Sequence, residues 1–459
     1  MLRELPSSKY HTQVTSRSAA PYAFNLTSVR IGARSIGEVS IMAGAAIPQA
    51  SPQASQGSQT SNDFYFNPID PAFRDNPYPH YPALLSGAPR KFNVFIPTTL
   101  VARYADCLAV LRDPEHFSSR PPAMLAQLRA EFGPFAGATT MLDSDPPVHT
   151  RLRRLVTRAF TSRRVKDIEP RIRAIAEELL GRIARKGDFD LMNDFAGPLP
   201  VIVIAEMLGV PAEEHTQFKT WSNQIIEGGR GSFRGVAPGE QVKSTSQELR
   251  AYLADQIERR RRAPGEDLIT ALVQAHDEGG ALAADELLAF VVLLLLAGNE
   301  TTTNLIGNGT LALMRHPDQL SRLRGDLSLI PTAIDEMLRF DSPVQSTVRT
   351  CAVAANVGGT EVAVGELLFV ILAAANHDPR QFENPDTFDV ARTPNDHLAF
   401  GEGIHFCLGA NLARMEGAIA ISSMLERLPN LRLATPDAPP QYRGSYLLRG
   451  LKALPMTVS

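Results

Sequence analysis

Cysteine is scarce in this chain: three residues in 459, at Cys107, Cys351 and Cys407, with no C-x-x-C pair. So odd and sparse a set excludes a disulfide framework and points to a reducing cytoplasm. Neither Cys107 nor Cys351 has a second ligand at zinc spacing, which excludes a structural zinc site. Charge of one sign is also missing, since 46 basic and 49 acidic residues leave a net charge of -3. That balance gives no basis for nucleic acid as a partner. Long hydrophobic runs are absent as well. The longest, Leu287 to Gly298, has Asp285 and Glu286 before it and Glu300 after it. It falls short of a bilayer's thickness and predicts a buried core helix, with no membrane anchor. No segment recurs at a fixed period, which excludes a repeat architecture.

What is present is a large globular composition, 44% hydrophobic and 21% charged. Residues 1–62 stand apart, being rich in Ser, Ala and Gln, with Gln49 to Ser61 of low complexity. They read as a disordered leader; a transit peptide, or a start placed upstream of Met42, accounts for the same composition. Order is expected from Phe64-Tyr65-Phe66-Asn67-Pro68 onward, as one domain over residues 63–459.

The first part predicts a short helix at Tyr81 to Leu85 and strand-like sequence over Lys91 to Ala102, with Pro97-Thr98 as a turn. A helix follows over Tyr104 to Arg112, stopped by Asp113-Pro114, and residues 118–140 look loop-rich. Helical spacing then dominates: His149 to Phe160, Asp167 to Lys186, Leu199 to Leu208, Ala212 to Glu227 and Lys243 to Arg262. Gly228-Gly229-Arg230-Gly231 is expected to break that series. Asp285 to Arg315 predicts a long helix interrupted at Gly298, and Leu329 to Phe340 another. Val344 to Thr350, Glu361 to Val364 and Leu367 to Ala373 read as strands. The fold class is mainly α with a small β part.

One stretch carries chemistry: Phe400-Gly401-Glu402-Gly403-Ile404-His405-Phe406-Cys407-Leu408-Gly409, immediately before a helix-like run from Ala410. Gly401 and Gly403 permit a tight loop whose N–H groups can turn towards the sulfur. The start of the next helix favours a thiolate through its dipole. Gly409 allows a flat ligand to approach the backbone. A buried free cysteine is ordinarily inert packing, but this setting suits sulfur ligation of a haem iron.

The pattern Phe-Gly-x-Gly-x-His-x-Cys-x-Gly resembles the haem-binding signature of the cytochrome P450 superfamily. Further segments match that family in order: Glu336-Met337-Leu338-Arg339 fits its Glu-x-x-Arg. Phe382 to Arg392 fits its Phe-x-x-Pro-x-x-Phe-Asp-x-x-Arg loop, and Ala297-Gly298-Asn299-Glu300-Thr301-Thr302 fits its oxygen-side helix motif. The resemblance covers residues 63–459 and implies the P450 fold, a helical bundle around a buried haem b. It implies Cys407 as the one metal ligand, with Ala297, Phe400, Gly401 and Gly409 against the cofactor. His149, Arg153, Arg349 and His405 are expected at the propionates, and Glu300 with Thr301 as the catalytic proton-handling pair. Arg392 is expected to join Glu336 and Arg339 in a buried network.

The implied activity is monooxygenation. One oxygen atom of O2 would enter a C–H or C=C bond of a mainly hydrophobic small molecule. Electrons would come from NAD(P)H through a ferredoxin or flavodoxin with its reductase. A peroxide-driven peroxygenase of the same fold and a non-catalytic haem or gas-binding protein are the alternatives; the intact Glu300–Thr301 pair disfavours the former. Substrate contacts are expected around Ala123 to Phe135, Leu293 to Ala297, Val344 to Thr347 and Ser445 to Leu447. The basic run Arg151, Arg153, Arg154, Arg158, Arg163, Arg164 and Lys166 is expected to receive the acidic electron donor.

Overall fold

The apolar run around Leu287 folds into a helix of 32 residues, Ala284–Arg315, which forms the axis of the protein. Asp285 and Glu286 face its positive end, and Glu286 Oε2 accepts the Ala283 N–H at 2.8 Å. Pro317 lies just past its last turn and begins the helix Pro317–Gly325. By length and composition this helix could cross a membrane, yet 72% of its apolar window is buried inside the protein. The sequence run alone looked too short for that test; flanking turns lengthen the element, and its burial makes it a core helix.

The computed structural model describes residues 71–459 except 94–96, 124–125, 128–137, 233–239, 276–279, 281, 444–446 and 459. The expected leader, the expected start of order at Phe64 to Pro68, and most of the Ala123 to Phe135 segment lie outside the described residues. Residues Asp63–Ser459 make one compact unit.

Around the central helix pack Pro198–Met207, His215–Ser232, Glu240–Arg262, Ile330–Phe340 and Ala410–Arg427. Their apolar faces join in one continuous core that includes Leu199, Phe218, Leu253, Ile306, Ile334 and Ile421. Polar pins fix the register of the axis. Asn299 Nδ2 donates to Ser222 Oγ at 2.8 Å, and Thr303 Oγ1 donates to the Ala196 carbonyl at 3.1 Å.

Beside the bundle lies a five-stranded sheet with spatial order Arg90–Asn93, Pro97–Val101, Leu367–Val370, Thr347–Cys351 and Phe117–Ser118. Its one parallel pairing joins Thr98 to Leu367 and Val101 to Val370. In smaller sheets, Pro455–Thr457 lies between Asp188–Asp190 and Arg432–Leu433, and Ala355–Val357 pairs with Thr360–Val362.

Four local expectations need correction. Pro97 and Thr98 open a strand instead of forming a turn; Pro97 pairs with Asn93 at the strand's first position, where a proline is tolerated. The helix His215–Ser232 runs through Gly228–Gly231 without a break. Glycine costs about 1 kcal/mol in a helix, and packing against Pro198–Met207 and Glu240–Arg262 holds the frame. The central helix is continuous at Gly298. Leu367 to Ala373 divides into a strand, Leu367–Val370, and a helical turn, Leu372–Ala375.

Candidate active site

The Cys407 loop is built by two left-handed glycines, Gly401 at φ 68° and Gly403 at φ 70°. Gly403 has a further reason to lack a side chain. A Cβ there would collide with the carbonyl oxygen of Leu111, at the end of helix Tyr104–Arg112. The loop closes when Cys407 N donates to the Phe400 carbonyl at 3.0 Å. Phe400 is held in turn by Arg414, whose guanidinium lies 4.6 Å from the ring centroid and is anchored to Asp335 at 2.7 Å.

Burial pushes the Cys407 thiol above its ordinary pKa, opposed by the Gly409 N–H and by the charges of Arg153 and Arg414. The local loop and helix start were expected to lower it. They do pull in that direction, but desolvation outweighs them in the protein alone. A positive partner on the sulfur is what would reverse the balance.

Four cationic or imidazole groups converge beside this loop. The His149 and His405 rings lie 4.3 Å apart. Among the described residues, Arg349, 7% exposed, donates only to Thr347 Oγ1 and the Val348 carbonyl, and burial brings its pKa down to about 10. Burial together with the neighbouring Arg349 and His149 holds His405 down at about 3. Burial and Arg153 lower the pKa of His149, whose Nε2 is buried without a hydrogen-bond partner among the described residues. The acid facing the group is Asp145. It is already engaged by Ser118 Oγ at 2.5 Å, Ser119 N at 2.8 Å and Arg120 at 3.4 Å. The cluster is therefore short of negative charge.

On the central helix, Leu294, Ala297, Gly298 and Thr301 are less buried than their neighbours, as is Leu296 on another side. The spacing of the first four, i, i+3, i+4 and i+7, places them on one face. Nothing lies within 4 Å of a Cβ built at Gly298, nor of one built at Gly409. Thr301 Oγ1 donates to the Ala297 carbonyl at 2.8 Å, while Glu300 is 8% exposed. The stripe thus combines an open, flat-sided apolar face with a hydroxyl, and the buried carboxyl of Glu300 follows next to it in the chain.

Behind the site, Glu336 accepts from Arg339 Nε at 2.7 Å and Nη2 at 2.8 Å, and from Arg392 Nε at 3.1 Å. Arg339 also donates to the carbonyls of Asn376, Pro385 and Thr387. The expected three-residue network is present, and it ties helix Ile330–Phe340 to the segment that leads into the Cys407 loop.

The basic run is less uniform than its sequence suggests. Arg151 pairs with Glu286 at 2.5 Å, Arg163 with Asp167 at 3.6 Å, and Arg164 reaches the Glu266 carbonyl at 3.1 Å. Arg153 turns towards Cys407, leaving Arg154 and Arg158 exposed on the outer face of the same helix, Val148–Ala159. Ser445 and Tyr446 lie outside the described residues, while Leu447 accepts the Gln345 N–H at 2.8 Å.

Sequence reasoning passed over Ser119, which meets His405 Nε2 at 2.9 Å, and over Asp145, Arg414 and Glu416. Arg414 and Glu416 had a signal: both are charges in the mostly apolar first half of the helix that follows Cys407. Ser119 and Asp145 had none, being remote in sequence from what they touch.

Comparison with known proteins bears on this geometry. A family model described as Cytochrome P450 matches residues 238–448. The chain is 44% identical to Cytochrome P450 107B1 of Saccharopolyspora erythraea over 366 residues, 78% of this chain and 88% of that relative. It is 42% identical to the Vitamin D(3) 25-hydroxylase of Pseudonocardia autotrophica over 390 residues, 84% of this chain and 94% of that one. Among solved structures, the Bacillus subtilis polyketide-synthase cytochrome P450 PksS superposes with a TM-score of 0.77 at 37% identity. That match covers 86% of this chain and 100% of that one. The chain belongs to the cytochrome P450 family and is an oxidoreductase of its haem-thiolate monooxygenase type.

Proposed function

We propose that the protein inserts one oxygen atom of O2 into a C–H or C=C bond of a mainly hydrophobic small molecule. The observation that carries this reading is the cluster of His149, Arg153, Arg349 and His405 beside Cys407, which is short of negative charge. A haem b fits these residues. Its two propionates would supply the missing negative charge and give the orphaned His149 Nε2 a partner. Arg349 and Arg153 offer planar forks suited to carboxylates, and Cys407 alone ligates the metal. Phe400, Gly401 and Gly409 shape the loop side of the cofactor, and Ala297 with Gly298 the flat opposite face. When bound, haem with thiolate ligation supplies dioxygen activation.

The remaining work falls to the chain. With its proton committed to the Ala297 carbonyl, the Thr301 hydroxyl keeps lone pairs free to accept a hydrogen bond from a donor on the open face. Glu300 places a carboxyl one residue away, able to relay protons through Thr301. Leu294, Ala297 and the partly buried Gln345 and Thr347 present a mostly apolar surface to substrate. This acid–alcohol pair favours oxygen-driven over peroxide-driven turnover.

Electrons would arrive from NAD(P)H through a ferredoxin or flavodoxin and its reductase. Arg154 and Arg158 form the landing face, one helix side away from Arg153 and the sulfur. The sparse, unpaired cysteines accord with a cytoplasmic setting. The direct test is the spectrum of the reduced, carbon-monoxide-bound protein. A Soret band at the thiolate position is expected, lost in Cys407→Ala and moved to the histidine-ligated position in Cys407→His. Persistence of the thiolate band in either variant overturns the assignment.

A further inference from the structure

Ser119 lies far from Cys407 in the chain, yet its hydroxyl meets Nε2 of His405, two residues before the sulfur, at 2.9 Å. The segment that carries it is held from three directions. Phe117–Ser118 pairs antiparallel with Cys351 and Thr350, in the strand that also carries Arg349. Asp145 accepts from Ser119 N at 2.8 Å and from Ser118 Oγ at 2.5 Å. Thr350 Oγ1 donates to the Arg120 carbonyl at 2.8 Å. Both chain neighbours of Ser119 are thereby fixed, and its side chain is presented to His405 by a tied-down backbone.

Among the described residues His405 is the one hydrogen-bond partner of the Ser119 hydroxyl, and Ser119 the one partner of the His405 ring nitrogens. Nε2 of His405 is thus engaged, while Nδ1 is open and, unlike Nε2 of His149, is not sealed into the protein. A propionate carboxylate only accepts hydrogen bonds, so the ring must turn a nitrogen bearing hydrogen towards it. With Nε2 taken, Nδ1 is the nitrogen left for that bond. A hydroxyl suits the other end, because it satisfies Nε2 whether that nitrogen carries hydrogen or a lone pair. Partners on the far nitrogen orient a histidine in just this manner at metal sites.

We propose that Ser119 is a positioning residue of the cofactor site, holding His405 by Nε2 so that Nδ1 meets a haem propionate. The inference rests on the haem-thiolate reading of this site. Ser119 acts through His405 and does not itself touch the cofactor.

The test uses the haem-loaded full chain and follows release of haem to excess apomyoglobin, together with the reduction potential. Ser119→Ala should release haem about fivefold faster, the worth of one hydrogen bond. Its potential should fall, because a less well neutralised carboxylate leaves more negative charge near the iron. Ser119→Thr and Ser119→Val share one shape, so Thr should release more slowly than Val if the hydroxyl is what matters. In a His405→Leu background, Ser119→Ala should change neither quantity. A parental release rate or an unmoved potential in Ser119→Ala overturns the proposal. So does equal release from the Thr and Val variants, or an undiminished Ser119 effect without His405. A parent that lacks the thiolate band in its reduced carbon-monoxide spectrum overturns the haem-thiolate reading and this inference with it.

Discussion

Gly450 lies directly against the side-chain amide of Asn304, and a methyl group at Gly450 would overlap Oδ1, Cγ and Nδ2 together. Asn304 is 1% exposed, one helical turn beyond Thr301, and neither amide atom has a hydrogen-bond partner among the described residues. Gly450→Ala is expected to destabilise the protein by about 1–3 kcal/mol, the usual cost of overpacking. Because the clash is with one side chain, the double variant with Asn304→Ala should regain most of that loss. Urea denaturation of the single and double variants decides it; strictly additive losses would refute the contact.

Glu416, wholly buried on the helix that follows Cys407, has its pKa pushed up to about 8 by burial, against the pull of a hydrogen bond from Thr302. The native state thus keeps a proton that the unfolded chain gives up near its ordinary value. Stability should fall as pH rises from about 4.5 to about 8, by up to about 1.4 kcal/mol per pH unit, and level off above that. Glu416→Gln cannot titrate, so its stability should be flatter across the window and higher than the parent's at the alkaline end. Denaturation midpoints at a series of pH values test this. A slope shared by both proteins would assign the effect elsewhere.

Thr301→Val keeps the shape of the side chain and removes its hydroxyl. If Thr301 and Glu300 handle protons, product formed per electron consumed should drop by about 100-fold, while the substrate-induced spectral change stays intact. Weakened substrate binding with normal coupling would instead make Thr301 a packing residue.

Arg154 and Arg158 stand four residues apart on the exposed side of helix Val148–Ala159. Reversing both charges is expected to slow reduction by an acidic ferredoxin about tenfold or more at low salt, with the difference vanishing as salt is raised. Stopped-flow reduction at two ionic strengths measures it. Rates that match the parent at low salt would exclude this face as the landing site.

Much of this architecture can be read from sequence, because long helices with regular apolar spacing declare themselves. Tyr104–Arg112 and Ile330–Phe340 appear within a residue of where their patterns place them. The ordered motifs likewise point to Glu336, Arg339 and Arg392 as one network before any distance is known. Reading failed where long-range packing decides. Pro97 looks like a turn until its strand finds Leu367–Val370 beyond it. The glycines after Glu227 look like a break, yet the helix His215–Ser232 continues through them. Arg151 looks like part of a basic field until Glu286 is found opposite it. Glu416 was visible as a charge in an apolar run, but only its complete burial gives it meaning.

The seat of Gly403 on the carbonyl of Leu111 has a consequence for biosynthesis. The thiolate loop is shaped against a helix made nearly 300 residues earlier, and Arg112–Glu402 and Ser119–His405 span the same gap. Contacts of such sequence separation form late, after the intervening chain has collapsed. A ribosome-bound chain that stops short of Cys407 can own the central helix and most of the core, yet cannot close the cofactor's cradle. On the proposed ligation by Cys407, capture of the prosthetic group would then be a final assembly step, and the abundance of loaded enzyme would report on completed chains.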